Sequence, residues 1–256
     1  MHTKIIYEQP LNERIRNLLR LEHLFELIDS CSEEFTQWNC RSILESLLEI
    51  IDLLTRSDLK SELIKELERH ASMLITLKNN PAVDQQRLNE IYTDISKLLE
   101  KLRDSAYQPG FQLKKDELVT SFKQRISIPG GTCNFDLPRL NQWLNQPVLK
   151  RQQDIESWSD DLKPVKNASR LALDMIRNST NPGKEIAESG FYQKPIESNL
   201  SCQLIRVLLP SASRYYPEIS GGKHRFTIRF MEECPTNARP IQTKNNVEFE
   251  LHCCIL

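Results

Sequence analysis

An α+β protein is what this sequence predicts: a mainly helical domain followed by a smaller antiparallel β domain, with the segment 3–8 as a further candidate strand of that β domain. Three observations carry the expectation. Apolar residues recur at helical spacing from about residue 11 to about 179. All seven glycines, at 110, 130, 131, 183, 190, 221 and 222, fall outside those periodic segments and punctuate them. After Asn181-Pro182-Gly183 the pattern changes to short alternating runs separated by Pro, Gly and Asn turns. The expected domains are therefore 1–185, helical apart from 3–8, and 186–256, built of strands.

Thr3 to Glu8 reads as a short strand closed by Pro10, after which Asn12 is placed to cap a helix over 13–29 that carries Leu11, Ile15, Leu18 and Phe25 on one side. A second helix is expected over 40–56. The next, over 58–79, repeats Leu59, Leu63, Leu67, Leu74 and Leu77 and stops at Asn79-Asn80-Pro81. Asp84 then caps a return helix bearing Leu88, Ile91, Ile95, Leu98 and Leu102, which makes an antiparallel helical hairpin.

Pro109-Gly110 interrupts the pattern before a helix over 114–126 and the turn Ile128-Pro129-Gly130-Gly131. Asp136 and Pro138 open a short helix through Trp143. From 148 to 179 the spacing of Ile155, Trp158, Leu162, Val165, Leu171 and Met175 is helical, with Pro164 either a kink or the first turn of a new helix. Strands are expected at 191–193, 202–209, 224–231 and 246–252.

Composition excludes several classes of function. With 256 residues, 39% hydrophobic content and a formal charge of −1, the chain has enough apolar material for a sizeable core. Its longest apolar runs are broken by charge well short of the roughly 20 residues of a membrane span, and no apolar stretch follows the start, so neither an integral membrane segment nor a signal peptide is expected. Residues 190–256 carry 8 Lys+Arg against 6 Asp+Glu, so there is no strongly basic footprint for nucleic acid.

Seven scattered cysteines without a Cys-x-x-Cys pair make a poor disulfide framework and fit a reducing cytoplasm. The matches to Asn-x-Ser/Thr at Asn167, Asn178 and Asn199 are at chance level. The ending Cys253-Cys254-Ile255-Leu256 fits a prenylation box, but Val247, Phe249 and Leu251 alternate with Glu248, Glu250 and His252 before it, and no polybasic stretch precedes it. A strand terminus is the competing reading.

Catalytic signatures are not found: no Walker loop, no dinucleotide glycine fingerprint, no His-Glu-x-x-His and no Gly-x-Ser-x-Gly. The chain is accordingly expected to be no enzyme and to need no cofactor. Two features carry recognisable chemistry instead. Lys223 to Phe230 alternates strictly, so Phe226, Ile228 and Phe230 share one face while Lys223, Arg225, Thr227 and Arg229 share the other. Arg225 and Arg229 would then stand about 13 Å apart, a spacing that suits an extended acidic peptide better than one small anion. The alternative is that Glu248 and Glu250 on the last strand face this stripe and neutralise it. A second basic line, Arg16, Arg20 and His23, recurs on the first helix, where Glu13 and Glu26 could pair with it, and Arg56 sits at the end of the second helix. A small-anion or nucleotide-binding enzyme using the same arginines is the rival class.

Three stretches together resemble the ZapD family of bacterial division proteins. They are Tyr7-Glu8-Gln9-Pro10-Leu11-Asn12-Glu13 with Leu19-Arg20-Leu21-Glu22; Arg125-Ile126-Ser127-Ile128-Pro129-Gly130-Gly131 with Phe135-Asp136-Leu137-Pro138 and Trp143-Leu144; and Tyr216-Pro217-Glu218-Ile219-Ser220-Gly221 with Arg225-Phe226 and Ile228-Arg229-Phe230-Met231. The resemblance implies a helical domain plus a β domain, a symmetric homodimer, and a cytoplasmic protein recruited to the midcell division ring through the C-terminal tail of FtsZ, whose filaments it cross-links. It also implies that basic residues in a cleft between the domains receive that tail, which maps onto Arg20, Arg56, Arg225 and Arg229. With the neighbouring Arg16 and Lys223, these six are the expected tail-binding residues.

Overall fold

The computed structural model describes residues 4–56, 58–78, 80–81, 83–196, 202–222, 224–235 and 237–255. The fold is α+β, with helices in the first two thirds of the chain and antiparallel strands after them. The chain divides into two compact units, a helical one over Asn17–Ala172 and a strand-rich one made of Met1–Arg16 with Leu173–Leu256. Among the described residues no helix is long and apolar enough to cross a membrane.

The helical unit takes most of α1 (Glu13–Cys31), then α2 (Gln37–Arg56), α3 (Leu59–Leu77) and α4 (Gln85–Arg103). Each buries one apolar stripe, for which Ile43, Leu44, Leu47 and Ile51 serve on α2, Leu59, Leu63 and Leu67 on α3, and Leu88, Ile95, Leu99 and Leu102 on α4. The expected hairpin of α3 and α4 is present, and the Arg103 guanidinium reaches back across it to Glu68. Asp84 caps α4 by accepting from the backbone N–H groups of Gln86 and Arg87 at 3.0 and 3.1 Å.

Three boundaries differ from expectation for local reasons. The helix expected over 114–126 is two helices, α5 (Phe111–Lys115) and α6 (Glu117–Arg125). Asp116 separates them because its carboxylate caps α6 through Leu118 N and Val119 N, while its second oxygen takes the Trp158 indole N–H at 3.2 Å. In α7 (Pro138–Leu144) proline occupies the first turn, but Leu137 holds the N-cap position without a side-chain hydrogen bond, so Asp136 is not the cap. The long segment from 148 breaks into α8 (Val148–Ser159), a single 3-10 turn at Asp160–Leu162 and α9 (Lys163–Arg177), with Pro164 in the first turn of α9.

The strand-rich unit is a two-sheet sandwich. β1 (Lys4–Pro10), β4 (Cys202–Pro210), β7 (Val247–Ile255) and β2 (Gly183–Ala187) form one antiparallel sheet in the order β1-β4-β7-β2. β3 (Phe191–Pro195), β6 (Arg225–Glu232) and β5 (Tyr215–Gly221) form the other, in the order β3-β6-β5. The candidate strand at the N-terminus thus pairs with β4, while β2 and β5 were not expected. Ile205, Val207, Leu209, Phe249 and Leu251 of the first sheet meet Phe226, Ile228 and Phe230 of the second in one buried core. Phe249 packs on Phe230 and Tyr192 with ring centroids 5.0 and 5.3 Å apart.

The chain passes from one sheet to the other through Ser189 and Gly190, both at positive φ. At Gly190 a Cβ would lie 2.6 Å from the Thr243 carbonyl oxygen, so glycine is required by space as well as by φ. Cys253 and Cys254 lie within β7 with Cys254 buried, the strand-terminus reading of the ending, although Leu256 itself is outside the described residues.

Candidate functional site: two separate arginine groups

On β6 the burial alternates as the sequence requires. Phe226, Ile228 and Phe230 are buried, Arg225 and Arg229 are exposed, and Thr227 between them is half-buried. β6 is the central strand of its sheet, so the register of both neighbours defines what surrounds the arginines. Arg229 stands opposite Phe191 on β3 and Glu218 on β5. Thr227 stands opposite Gln193 and Ser220, and Arg225 opposite Pro195. The register thus sets Thr227, Gln193 and Ser220 between the two arginines and Phe191 beside Arg229.

Among the described residues neither Arg225 nor Arg229 forms an ion pair. The suggestion that Glu248 and Glu250 neutralise them is corrected by the topology: β7 lies in the other sheet. Glu250 is engaged by Lys4 at 2.7 Å across the first sheet, and Glu248 stands opposite Ile186. Among the described residues the carboxylate in register with the stripe is Glu218, opposite Arg229, which the sequence reading did not single out. Lys223 lies outside the described residues.

In the helical unit, Arg20, His23 and Leu24 of α1 and Glu49, Asp52, Leu53 and Arg56 of α2 line a shallow hollow of about 410 Å³. Arg20 donates to Asn17 Oδ1 at 3.3 Å, the geometry of an i, i+3 helix pair. Arg56 keeps 82% of its side chain exposed and reaches Asp52 only at 3.7 Å, while the same carboxylate accepts from Lys123 at 2.8 Å. The hollow is therefore mixed in charge, with two arginines at its rim and two carboxylates in its wall. Arg16 belongs to the strand-rich unit and pairs with Glu13 at 3.3 Å, the helix-surface pairing that sequence spacing allowed.

Six expected residues thus divide as follows: Arg225 and Arg229 share one face in the strand-rich unit, Arg20 and Arg56 share one hollow in the helical unit, Arg16 is tied to a neighbour, and Lys223 is undescribed. Both groups can hold carboxylates by charge-assisted hydrogen bonds. Among the described residues no three His, Cys, Asp or Glu side chains come together as a metal site would need.

A family model described as ZapD, a cell division protein, matches residues 19–229. A "Cell division protein ZapD" from Methylococcus capsulatus is 39% identical over 256 residues, the full length of both chains. Another of the same name, from Coxiella burnetii, is 34% identical over 253 residues, 98% of each. These relatives are named as division proteins, not as enzymes. Identity of this order along the whole length shows that the chain belongs to the ZapD family of cell division proteins.

Proposed function

We propose that the chain binds the C-terminal tail of FtsZ and, as a homodimer in the cytoplasm, cross-links FtsZ filaments at the midcell ring during division. The observation that carries this reading is that Arg225 and Arg229 are exposed on one face of β6 and form no ion pair among the described residues. Internal neutralisation would have left no charge for a partner. An extended peptide with acidic groups matches that spacing, and the shallow hollow bearing Arg20 and Arg56 offers a second place for carboxylates. Arg16, Arg20, Arg56, Lys223, Arg225 and Arg229 are the proposed tail-binding residues.

Exposed guanidinium–carboxylate contacts are individually weak, typically about 1 kcal/mol or less, and screened by salt. Bundling does not require tight single sites. A dimer that holds one tail per protomer meets a polymer offering many tails, and effective concentration turns weak contacts into stable cross-links. The experiment is co-sedimentation of FtsZ filaments with the wild-type chain, with Arg225→Glu/Arg229→Glu, and with tail-deleted FtsZ. Bundling by wild type alone, lost on deleting the tail and reduced in the double variant, is the expected pattern. Wild-type bundling of tail-deleted filaments would reject tail recognition.

A further inference from the structure

The antiparallel pair β4–β7 sets Leu204 opposite Cys254 and Ile205 opposite Cys253, but Cys202 rather than Gln203 opposite Ile255. One extra residue in β4 between Cys202 and Leu204 makes the difference. Strand alternation alone would turn Gln203 toward the core side with Ile205. The bulge instead brings Cys202 to the side that Ile205 and Cys253 occupy, and both cysteines pack against the sandwich core. Gln203 is turned away and accepts from Arg14 at 2.7 Å. The Cys202 and Cys253 side chains interact across the two adjacent strands, and the Cys202 thiol is also directed at the Leu204 carbonyl oxygen 3.9 Å away.

Cys253 differs from every other described cysteine in its surroundings. It is half-buried rather than sealed, shares the core side of the strand pair with Cys202, and has the ammonium group of Lys194 nearby. These favour its thiolate: interaction with the Cys202 thiol holds the Cys253 thiol below its usual value, helped by Lys194 and opposed by burial and Glu185. Cys202 is pushed the other way by the same interaction and by burial. Cys254, next in sequence, faces the opposite side of the sheet, buried, with its thiol directed at the Arg177 carbonyl 3.9 Å away.

We propose that Cys202 and Cys253 form a redox-modification site that closes to a disulfide between β4 and β7 when the chain meets a hydroperoxide. The Cys253 thiolate attacks a peroxide oxygen, the O–O bond breaks, and hydroxide leaves to become water, giving a sulfenic acid. Cys202 then loses its proton and attacks that sulfur; the S–O bond breaks, and the second hydroxide leaves as water. Two thiols and one hydrogen peroxide become one disulfide and two waters, the two electrons passing from sulfur to oxygen. The site is independent of tail binding.

The test is treatment of the reduced, full-length chain with hydrogen peroxide, followed by alkylation of free thiols and peptide mapping without reductant. Exposed Cys133, in the helical unit, serves as the internal reference. The expected result is a cross-linked peptide joining Cys202 to Cys253, formed before Cys133 is oxidised and reversed by dithiothreitol. In Cys202→Ser, a dimedone-reactive sulfenic acid should accumulate at Cys253. Oxidation of Cys133 ahead of the pair, a link from Cys253 to any other cysteine, or no sulfenic acid at Cys253 in Cys202→Ser would each overturn the proposal.

Discussion

Arg229 and Glu218 face each other in register across β6 and β5, yet no salt bridge closes between them. The carboxylate is near enough to oppose an incoming acidic peptide and is not engaged enough to occupy the guanidinium. Glu218→Gln is therefore expected to strengthen binding of an FtsZ tail peptide a few-fold, in line with the roughly 0.2–1 kcal/mol typical of cross-strand charge pairs. Fluorescence anisotropy with a labelled peptide measures it, and the gain should shrink as salt is raised.

A different charged group holds the strand-rich unit together. Glu8 on β1 accepts from Arg206 Nε at 2.8 Å and from Arg177 Nε and Nη2 at 2.9 and 2.7 Å, with all three side chains less than a fifth exposed. Glu8→Gln removes the only carboxylate of this group and leaves two guanidinium groups poorly compensated. The expected loss is about 2–3 kcal/mol, read as a lower urea midpoint, without any change specific to peptide binding.

His252 lies in the same row as Glu8 and Arg206, buried, and its ring nitrogens have no hydrogen-bond partner among the described residues. Burial, then the positive charge of Arg206, hold its pKa below the ordinary 6.5; Glu250 opposes them, and Lys4 adds the smallest lowering effect. Above 6.5 both folded and unfolded chains carry neutral His252, so its contribution is constant. As pH falls below that value the unfolded chain takes up a proton that the folded one resists, and stability declines. Urea titrations across this range should show a shallower decline for His252→Gln than for wild type.

Gly190→Ala is expected to destabilise the strand-rich unit by about 1–3 kcal/mol, because the left-handed backbone and the nearby Thr243 carbonyl both reject a Cβ. Thermal unfolding measures the loss. Phe191 follows directly and flanks Arg229, so peptide affinity should fall along with stability.

The long amphipathic helices were legible because α2, α3 and α4 repeat leucine and isoleucine over five turns, and Asn12 and Asp84 announce the starts of α1 and α4. Asp116 falls inside the helix expected over 114–126; its role as the cap of α6 shows only in the hydrogen bonds it accepts from Leu118 N and Val119 N. β5 was missed because Pro217 stands in its middle, which an edge strand tolerates. β2 was missed because it is five residues long and two of them, Lys184 and Glu185, are charged.

The same limit applies to the site. Alternation along β6 foretold which way Arg225 and Arg229 point, since that is a property of one strand. Glu218 and Phe191 as their neighbours, and Lys4 as the partner of Glu250, depend on which strands pair, a long-range matter that local pattern does not encode. The facing of Cys202 depends on a single-residue bulge that has no sequence mark.

Binding of the FtsZ C-terminal tail peptide to wild type and to Arg225→Glu/Arg229→Glu, by anisotropy at low and at physiological salt, tests the central claim most directly. The account predicts measurable affinity for wild type that weakens with salt, and its loss in a double variant whose unfolding midpoint is unchanged, as exposed positions allow. Equal affinity of the folded double variant and wild type would contradict it.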